Sequence, residues 1–353
     1  MKAAVIMDMF GCPNRCRHCW LGHGKNAHIP EKDFIWVSEH YKNYKQNNEP
    51  FFNELIFMTW YREPDFSGSY RPLWELEKQL STVKVPRYEL ASVWRLARDE
   101  DYAPWLKSLG VDCVQITLFG TERNTDYFSG RKGAFRDCLS AIEVLLLNDI
   151  VPRVQMFPFS TTVDDFENLQ RVFIDLKLEE RTSHLGKEFA CFFNSPTPTG
   201  AGYNLENIRM SKDDFLRLPP YFIEKTMKYF KAYDLDNLLK TEAELLPELL
   251  ADNSPLNDTP EVTAFMVASD FNVYPNYGEI ADWWSLGNLK TGGIELVMDA
   301  FLNHKNPGLK MNYEIPVKYF AGKYGDKKSA KLYTRGDLIQ KWFRLEAMGV
   351  QEE

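Results

Sequence analysis

Short hydrophobic runs alternate with longer amphipathic segments through the first half of the chain. The short runs predict β-strands and the longer segments predict helices, because a helix buries one face along several turns whereas a buried strand needs only a few apolar residues. The predicted strands are residues 3–9, 53–61, 87–93, 113–118, 151–159 and 189–194. The predicted helices between them are residues 31–44, 73–80, 99–109, 133–147 and 161–176.

Strands that alternate with helices in this way indicate βα units and a parallel sheet. Six such units predict an α/β fold, with a partial (β/α)6 TIM-like barrel over residues 1–200. In barrels of this type the reacting groups lie at the carboxyl ends of the strands. We therefore expect the functional residues in the loops that follow the strands.

The pattern changes after Asn194, where residues 195–202 are rich in proline and glycine. Such a stretch is typical of a loop between structural units. We therefore predict a second domain over residues 201–353, an α+β cap. Its predicted elements are helices over 211–233 and 238–250, strands over 262–268 and 273–274, and a helical C-terminal region.

The composition excludes several classes of protein. The net charge of −8 and the lack of a long basic run argue against nucleic acid as a partner. No segment has the pattern of a signal peptide, and none is apolar over the length that a membrane span needs. We therefore expect a cytoplasmic protein, in which clustered cysteines stay reduced and bind metal rather than form disulfides.

Three of the six cysteines lie close together in Cys12-Pro-Asn-Arg-Cys16-Arg-His-Cys19, directly after the first predicted strand. Three soft ligands on one short loop suit a metal or an iron–sulfur site. Buried structural thiols are the simplest alternative, but proline, asparagine and arginine neighbours are unusual in a core.

Two metal sites fit the loop. Structural zinc would take His18, His23 or His28 as its fourth ligand, although such sites favour two ligand pairs separated in sequence. A [4Fe–4S] cluster would use the three thiolates and leave its fourth iron open to a small molecule.

The loop resembles the signature of the radical S-adenosylmethionine (radical SAM) family. Cys12, Cys16 and Cys19 have the family's spacing, and His18 occupies the slot that usually holds an aromatic residue. The resemblance implies a reduced cluster that cleaves SAM to methionine and a 5′-deoxyadenosyl radical, which abstracts a hydrogen atom from the substrate. It also implies an external one-electron donor such as flavodoxin or ferredoxin.

The same resemblance implies contacts to SAM. Glu63-Pro64 is similar to the end of a Gly-Gly-Glu-Pro segment that holds the SAM amino group, although Tyr61 and Arg62 replace the two glycines. At the end of the third predicted strand, Ser92 is the polar contact and Arg95 meets the SAM carboxylate.

Three further positions follow from the resemblance. Gln115 or Thr117, on the fourth predicted strand, contacts the SAM ribose. Arg131 lies in a loop, leading into a helix, that resembles one in peptide- and sugar-modifying members. A charge at the surface of the helix N-terminus is the alternative interpretation of Arg131.

The C-terminal region resembles the SPASM/twitch extension of the family in residues 198–202, 270–275 and 286–289. That extension usually carries auxiliary clusters on cysteines. This chain has Asn276 where a cysteine is expected and no cysteine beyond Cys191. The resemblance therefore implies a cap without an auxiliary cluster.

Without an auxiliary cluster to accept an electron, we expect a redox-neutral outcome such as epimerisation, dehydration or rearrangement. Epimerisation needs a hydrogen donor, for which Cys191 on the sixth predicted strand is the candidate; a buried strand cysteine is the alternative.

The chain begins directly with the first predicted strand, so we expect no leader-binding domain and favour a small biosynthetic intermediate of the sugar, aminoglycoside or nucleoside type as substrate. Aromatic cap residues would stack on it: Tyr274, Tyr277, Trp283 and Trp284. The alternatives are a peptide maturase, which epimerises or crosslinks residues, and a zinc- or cluster-binding scaffold without catalysis.

Overall fold

The computed structural model describes residues 1–59, 62–87, 89–256, 260–275 and 279–349. Asn276, at the position of the expected cysteine, lies outside these ranges. Within them the strands, numbered β1 to β12 in chain order, are Lys2–Met7, Lys45–Gln46, Glu49–Pro50, Glu54–Met58, Cys113–Leu118, Val151–Met156, Ala190–Phe193, Lys240–Thr241, Val262–Val267, Asn272–Pro275, Gly287–Asn288 and Leu332–Tyr333. The α-helices, numbered α1 to α15, are Glu31–Asn43, Tyr70–Leu80, Val93–Leu96, Tyr102–Ser108, Glu122–Ser129, Ala134–Leu147, Phe166–Asp175, Leu178–His184, Lys212–Leu216, Pro220–Phe230, Glu242–Ala251, Leu289–Leu302, Pro307–Glu314, Val317–Tyr324 and Arg335–Ala347.

Two larger sheets carry the strands of the predicted βα units. One has the order β11-β10-β9-β1-β4 and the other has the order β5-β6-β7. β1 runs parallel to β4, and β5, β6 and β7 run parallel to one another. The α/β class predicted from the sequence is therefore confirmed, but the described strands of the predicted βα units lie in two sheets and not in one continuous barrel wall.

The gap between the sheets lies where the sequence predicted a third strand over residues 87–93, and that prediction is wrong. The described residues of this segment form no strand, and α3 begins at Val93. Ser92 caps this helix, because its Oγ accepts a hydrogen bond from Arg95 N at 3.1 Å. The segment still touches the second sheet through one backbone bond, from Gln115 N to Glu89 O at 2.9 Å.

Other boundaries differ from the prediction for local reasons. The helix predicted over 211–233 is interrupted between α9 and α10 by Pro219 and Pro220. Proline has no amide proton to donate and its ring collides with the preceding turn, so one helix becomes two. The first and fifth predicted strands each end earlier than expected, because their last residues turn into loops. The second ends at Met58, and residues 60 and 61 of that prediction lie outside the described ranges.

The predicted pair of C-terminal strands is confirmed as β9 and β10, which are antiparallel. The sequence did not indicate that β9 also pairs with β1, in parallel, from Lys2 opposite Val262 to Met7 opposite Val267. The two halves of the chain therefore share a sheet across β1. The domain division at residue 200 stays a prediction.

The largest core cluster lies around this shared sheet. Val5, Phe57 and Phe265 on three neighbouring strands are fully buried, as is Trp342 of α15. Burial of apolar side chains on both halves stabilises them together, at about 25 cal/mol for each Å² removed from water. Within the described ranges, the helices are too short or too polar to cross a bilayer.

The cap aromatics mostly contribute to this core. Trp284 is 3% exposed and stacks on Phe343 with 5.0 Å between ring centroids, and Tyr274 is also buried. Trp283 is partly buried against the same cluster. Their burial leaves little of these rings for a substrate, and Tyr277 lies outside the described residues.

Glu77 of α2 fixes the end of β4. Its Oε1 accepts hydrogen bonds from Thr59 N at 2.7 Å and from Thr59 Oγ1 at 2.5 Å. Burial raises the pKa of Glu77 to about 7, against the opposite effect of these hydrogen bonds.

This raised pKa predicts a pH-dependent stability. Native Glu77 binds its proton more tightly than unfolded Glu77, whose pKa is 4.5, so the free energy of unfolding falls as the pH rises from 4.5 to about 7. The loss is at most about 3 kcal/mol. We expect Glu77→Gln to remove it, as measured by denaturant unfolding below and above this range. The exposed Glu122→Gln is the control, and an unchanged slope in Glu77→Gln would contradict the assignment.

Candidate functional site

The cysteine loop leaves the carboxyl end of β1, as predicted, and carries three half-buried thiols. Burial is the main cause that raises the pKa of Cys12 to about 12 and the pKa of Cys16 well above its usual value. The charges of Cys12 and Cys19 also raise the pKa of Cys16, so the three thiols are close to one another. A metal would replace these protons, because thiolates are the ligating form.

The thiols still have to converge for metal binding. Among the residues that the structure describes, no group of three His, Cys, Asp or Glu side chains is already arranged to hold a metal ion. Two of the three imidazoles that the zinc interpretation considers are engaged in other contacts. His23 Nε2 lies 2.8 Å from Cys16 O, and His28 packs on Phe10 with 5.3 Å between ring centroids.

The carboxyl end of α5 holds one side of the loop. Arg15 N donates to Ser129 O at 3.1 Å, and Arg17 N donates to Phe128 O at 2.7 Å. Gly130 ends this helix with φ +63°, and a Cβ there would collide with the backbone of Arg15. The helix thus satisfies its last carbonyls with amides of the loop.

The proline- and glycine-rich loop after β7 holds the other side. Ala201 N donates to Cys19 O at 2.9 Å, and Thr199 Oγ1 donates to Trp20 O at 3.2 Å. Gly200 has φ +55°, and a Cβ on it would lie 2.6 Å from Cys19 O, Trp20 O and Gly22 N. Only glycine permits both this conformation and this contact.

A cavity of about 170 Å³ adjoins the cysteine loop. It brings together four of the predicted cofactor contacts with one predicted cluster ligand. These residues are Cys16, Glu63, Gln115, Thr117 and Arg131. The cavity also has residues that the prediction did not assign to cofactor contacts, among them Asn14, His18, Arg62, Phe119 and Cys138.

Glu63 is held at the wall of this cavity by groups of the α3 N-terminus. Its Oε1 accepts a hydrogen bond from Ser92 Oγ at 3.0 Å and a longer one from Trp94 N at 3.5 Å. Burial raises the pKa of Glu63, while the Ser92 hydrogen bond and the charge of Arg131 lower it. Ser92 therefore supports Glu63 from behind and does not line the cavity.

Arg131 links the cavity to the cysteine loop. Its Nε donates to Asn14 Oδ1 at 2.7 Å, and its guanidinium pairs with Asp137 at 2.5 Å. This is more than the surface charge that the alternative interpretation allowed, because the side chain is 18% exposed and bridges two segments.

A second polar contact crosses the strands of the smaller sheet. Gln115 Nε2 donates to Gln155 Oε1 at 2.8 Å, and Gln115 Oε1 accepts from Arg153 at 2.9 Å.

Arg95 is not brought to the cavity. It is buried, and its guanidinium donates to Asp65 O at 2.7 Å, to Phe66 O at 3.1 Å and to Ser67 O. These carbonyls belong to the segment that follows Glu63. The structure thus gives Arg95 a role in holding the segment, in place of the predicted contact to the SAM carboxylate.

Cys191 is not brought there either. It pairs in register with Val154 on β6, and both residues are fully buried in the core that packs against the helices. Residues paired in register point to the same face of a sheet, so Cys191 faces the helix layer and not the cavity. The prediction that it donates hydrogen has no geometric support.

Two cavity residues lay outside the prediction. Arg62 forms a buried ion pair with Asp8 and lowers the pKa of Cys12 and Cys19. Cys138 Sγ lies 3.7 Å from Thr117 O, where it helps to raise the pKa of Cys16. The sequence signal for Cys138 was its place on the buried face of α6, which lies next to β5.

His18 fills the predicted aromatic slot. Its ring lies 4.7 Å from both Phe119 and Phe157, between centroids, and burial lowers its pKa to about 4. It is therefore a neutral ring in an aromatic wall of the cavity. Its Nδ1 is buried and has no hydrogen-bond partner in the described part of the chain.

The residues fit a zwitterionic ligand bound next to a thiolate-held metal. Glu63 supplies a carboxylate for a cationic group, and Arg62 and Arg131 supply guanidinium groups for a carboxylate. His18 and Phe119 supply flat apolar surface for an aromatic ring.

No protein-family model and no curated protein matches the chain. Solved structures do share its fold. Histidine-tagged anSMEcpe with bound AdoMet (S-adenosylmethionine) has a TM-score of 0.55 at 16% identity, over 99% of this chain and 94% of that one. Native anSMEcpe with AdoMet and the Cp18Cys peptide has a TM-score of 0.51 at 15% identity, over 98% and 97%. The likeness shows a common fold over nearly the full length.

The contact between Gly200 and the cysteine loop predicts a specific defect. We expect Gly200→Ala to lower the iron bound after anaerobic reconstitution by at least about half, because the new Cβ displaces Cys19. Gly186→Ala is the matched control: its φ is +70°, but no atom lies within 4 Å of the new Cβ. Both variants bear a left-handed strain of about 1 kcal/mol. Equal iron contents in the two variants would contradict the predicted role of Gly200.

Proposed function

We propose that this chain is a radical SAM enzyme with a partial-barrel core, and that Cys12, Cys16 and Cys19 hold its one [4Fe–4S] cluster. The observation that carries the proposal is the cavity in which the three-thiol loop meets Glu63 and two arginines. The fold shared with an AdoMet-bound protein supports it. When bound, cluster and SAM supply one-electron cleavage of the SAM sulfonium to a 5′-deoxyadenosyl radical.

The chain's own residues bind the cluster and SAM and shield them from water. The thiolates of Cys12, Cys16 and Cys19 would hold the cluster, and binding it would release their protons. Glu63 holds the ammonium group of SAM, while Arg131 and Arg62 bind its carboxylate. Gln115 and Thr117 contact the ribose of SAM, and His18 and Phe119 cover its adenine ring. Excluding water around a reactive radical confines the reaction to the substrate that lies nearest.

For the substrate, we favour a peptide over the small metabolite expected from the sequence. Two of the structures with this fold carry peptides, Cp18Cys and Kp18Cys, together with AdoMet.

The remaining parts of the proposal follow from the sequence. They are a redox-neutral outcome, a C-terminal SPASM/twitch-like cap without an auxiliary cluster, a cytoplasmic location, and an external one-electron donor such as flavodoxin or ferredoxin.

Anaerobic reconstitution tests the cluster assignment. We expect about four irons per chain and cleavage of SAM to 5′-deoxyadenosine with dithionite. Replacing any one of Cys12, Cys16 or Cys19 by alanine should abolish both, whereas Cys113→Ala, at the amino end of β5, should leave both unchanged. A colourless protein with stoichiometric zinc would overturn the proposal. About eight irons would overturn the single cluster.

The role of Glu63 predicts a change in affinity. Glu63→Gln keeps the size of the side chain and removes its charge, so SAM should bind about 10- to 100-fold more weakly, as measured by anaerobic calorimetry. Glu122→Gln, on the exposed face of α5, is the matched control. Unchanged SAM affinity in Glu63→Gln would show that the ammonium group binds elsewhere.

Deuterium transfer decides the substrate class. Deuterated peptides and deuterated sugars, aminoglycosides and nucleosides are each incubated with the loaded enzyme, and 5′-deoxyadenosine is analysed by mass spectrometry. We expect deuterium from a peptide. Transfer from a small metabolite alone would restore the expectation drawn from the sequence.

A further inference from the structure

The segment that carries Glu63 is held by a buried network beneath the cavity. Asp65, two residues after Glu63, has φ +55°, a left-handed conformation that is strained outside glycine. Its carboxylate pairs with Arg87 and accepts a hydrogen bond from Tyr102 Oη at 2.6 Å. Arg95 binds the backbone carbonyls of the same segment, as described above. The conformation persists because its surroundings impose it.

The Tyr102 hydroxyl joins this segment to the group that holds Glu63. It donates to Asp65 Oδ2 and accepts a hydrogen bond from Ser92 N at 3.2 Å. Ser92 in turn donates through Oγ to Glu63 Oε1 at 3.0 Å. Glu63, Ser92, Tyr102 and Asp65 therefore form a closed ring of contacts, in which the covalent chain from Glu63 to Asp65 completes the circle.

The ring is rigid because it is buried. Tyr102 and Ser92 are fully buried. Tyr102 also packs edge-on against Tyr70, with 5.1 Å between ring centroids. The hydroxyl also lies 3.4 Å from Arg87 Nη2, which donates to it. A buried hydroxyl has no water to replace a lost partner. Removing it leaves Asp65 paired with Arg87 but breaks the link between Asp65 and the Ser92 backbone.

We propose that the Tyr102 hydroxyl is a positioning group, which orients the Glu63 carboxylate towards the cationic end of a ligand in the cavity. This inference rests on the proposed function, in which that end is the ammonium group of SAM. Tyr102 lies at the start of α4 and does not line the cavity, so it acts only through Glu63.

Two probes separate positioning from general packing. SAM carries the ammonium group, whereas 5′-methylthioadenosine has the same nucleoside and thioether without the amino-acid end. We expect Tyr102→Phe, reconstituted with its cluster, to bind SAM about 10-fold more weakly and 5′-methylthioadenosine unchanged, as measured by anaerobic calorimetry. Loss of one buried hydrogen-bonding group has an effect of this size.

Tyr70→Phe is the matched control. It makes the same change in the same aromatic cluster, but its hydroxyl interacts with Arg71. We expect its affinity for both probes to equal that of the wild type. Equal weakening of both probes by Tyr102→Phe, or no weakening of SAM, would overturn the positioning role.

A double-mutant cycle measured on SAM affinity distinguishes a positioning role of Tyr102 from a role in packing alone. If Tyr102 acts through Glu63, then Tyr102→Phe has no further effect on SAM affinity in the Glu63→Gln background. Additive effects would overturn the inference. Should Tyr102→Phe fail to fold, Ser92→Ala breaks the same ring at its bond to Glu63, and the same two probes decide. Wild-type protein that does not bind SAM would overturn the proposed function itself, a result distinct from all of these.

Discussion

The pairing of β1 with β4 on one side and β9 on the other is the constraint on which the site depends. The cysteine loop starts where β1 ends, so the direction and depth of that strand set the position of all three thiols. Two neighbouring strands hold β1 from the two halves of the chain. The loop then satisfies its backbone against α5 and the segment around Gly200.

The cavity beside the loop contains positively and negatively charged side chains close to one another. One carboxylate and two guanidinium groups line it, and burial raises the pKa of the Cys12 and Cys16 thiols in the loop beside it. Three thiolates with iron would change that balance, so metal binding and the affinity for a charged ligand are linked. One of these two guanidinium groups, that of Arg62, forms a buried ion pair with Asp8 and lies close enough to Cys19 to lower the pKa of its thiol.

Local signals were sufficient for part of this picture. β5 was predicted to the residue, because alternation of polar and apolar positions from Cys113 to Leu118 is unbroken. The cysteine loop and Glu63 were predicted from their spacing after strands, and Cys16 and Glu63 line one cavity. The third predicted strand does not form, because a serine caps a helix at its end. Whether this segment becomes a strand or a helix depends on tertiary contacts as well as on the local sequence.

Other errors came from long-range geometry. Which face Cys191 occupies depends on its register with Val154, and no periodicity in a four-residue strand reveals it. Arg95 was interpreted as a ligand contact because a buried cation and a binding cation look alike in sequence. The pairing of β9 with β1 joins residues that are far apart in the chain, and the sequence of neither strand identifies the strand with which it pairs.

The long reach of these contacts has a consequence for biosynthesis. A chain emerging from the ribosome exposes Cys12, Cys16 and Cys19 early, but Gly200 and β9 follow only after most of the protein has been made. Until then the loop lacks one of its two supports, and β1 has an open edge. The site of the proposed cluster is therefore complete only after most of the chain has been synthesised, and until then the three thiols are exposed to oxidation.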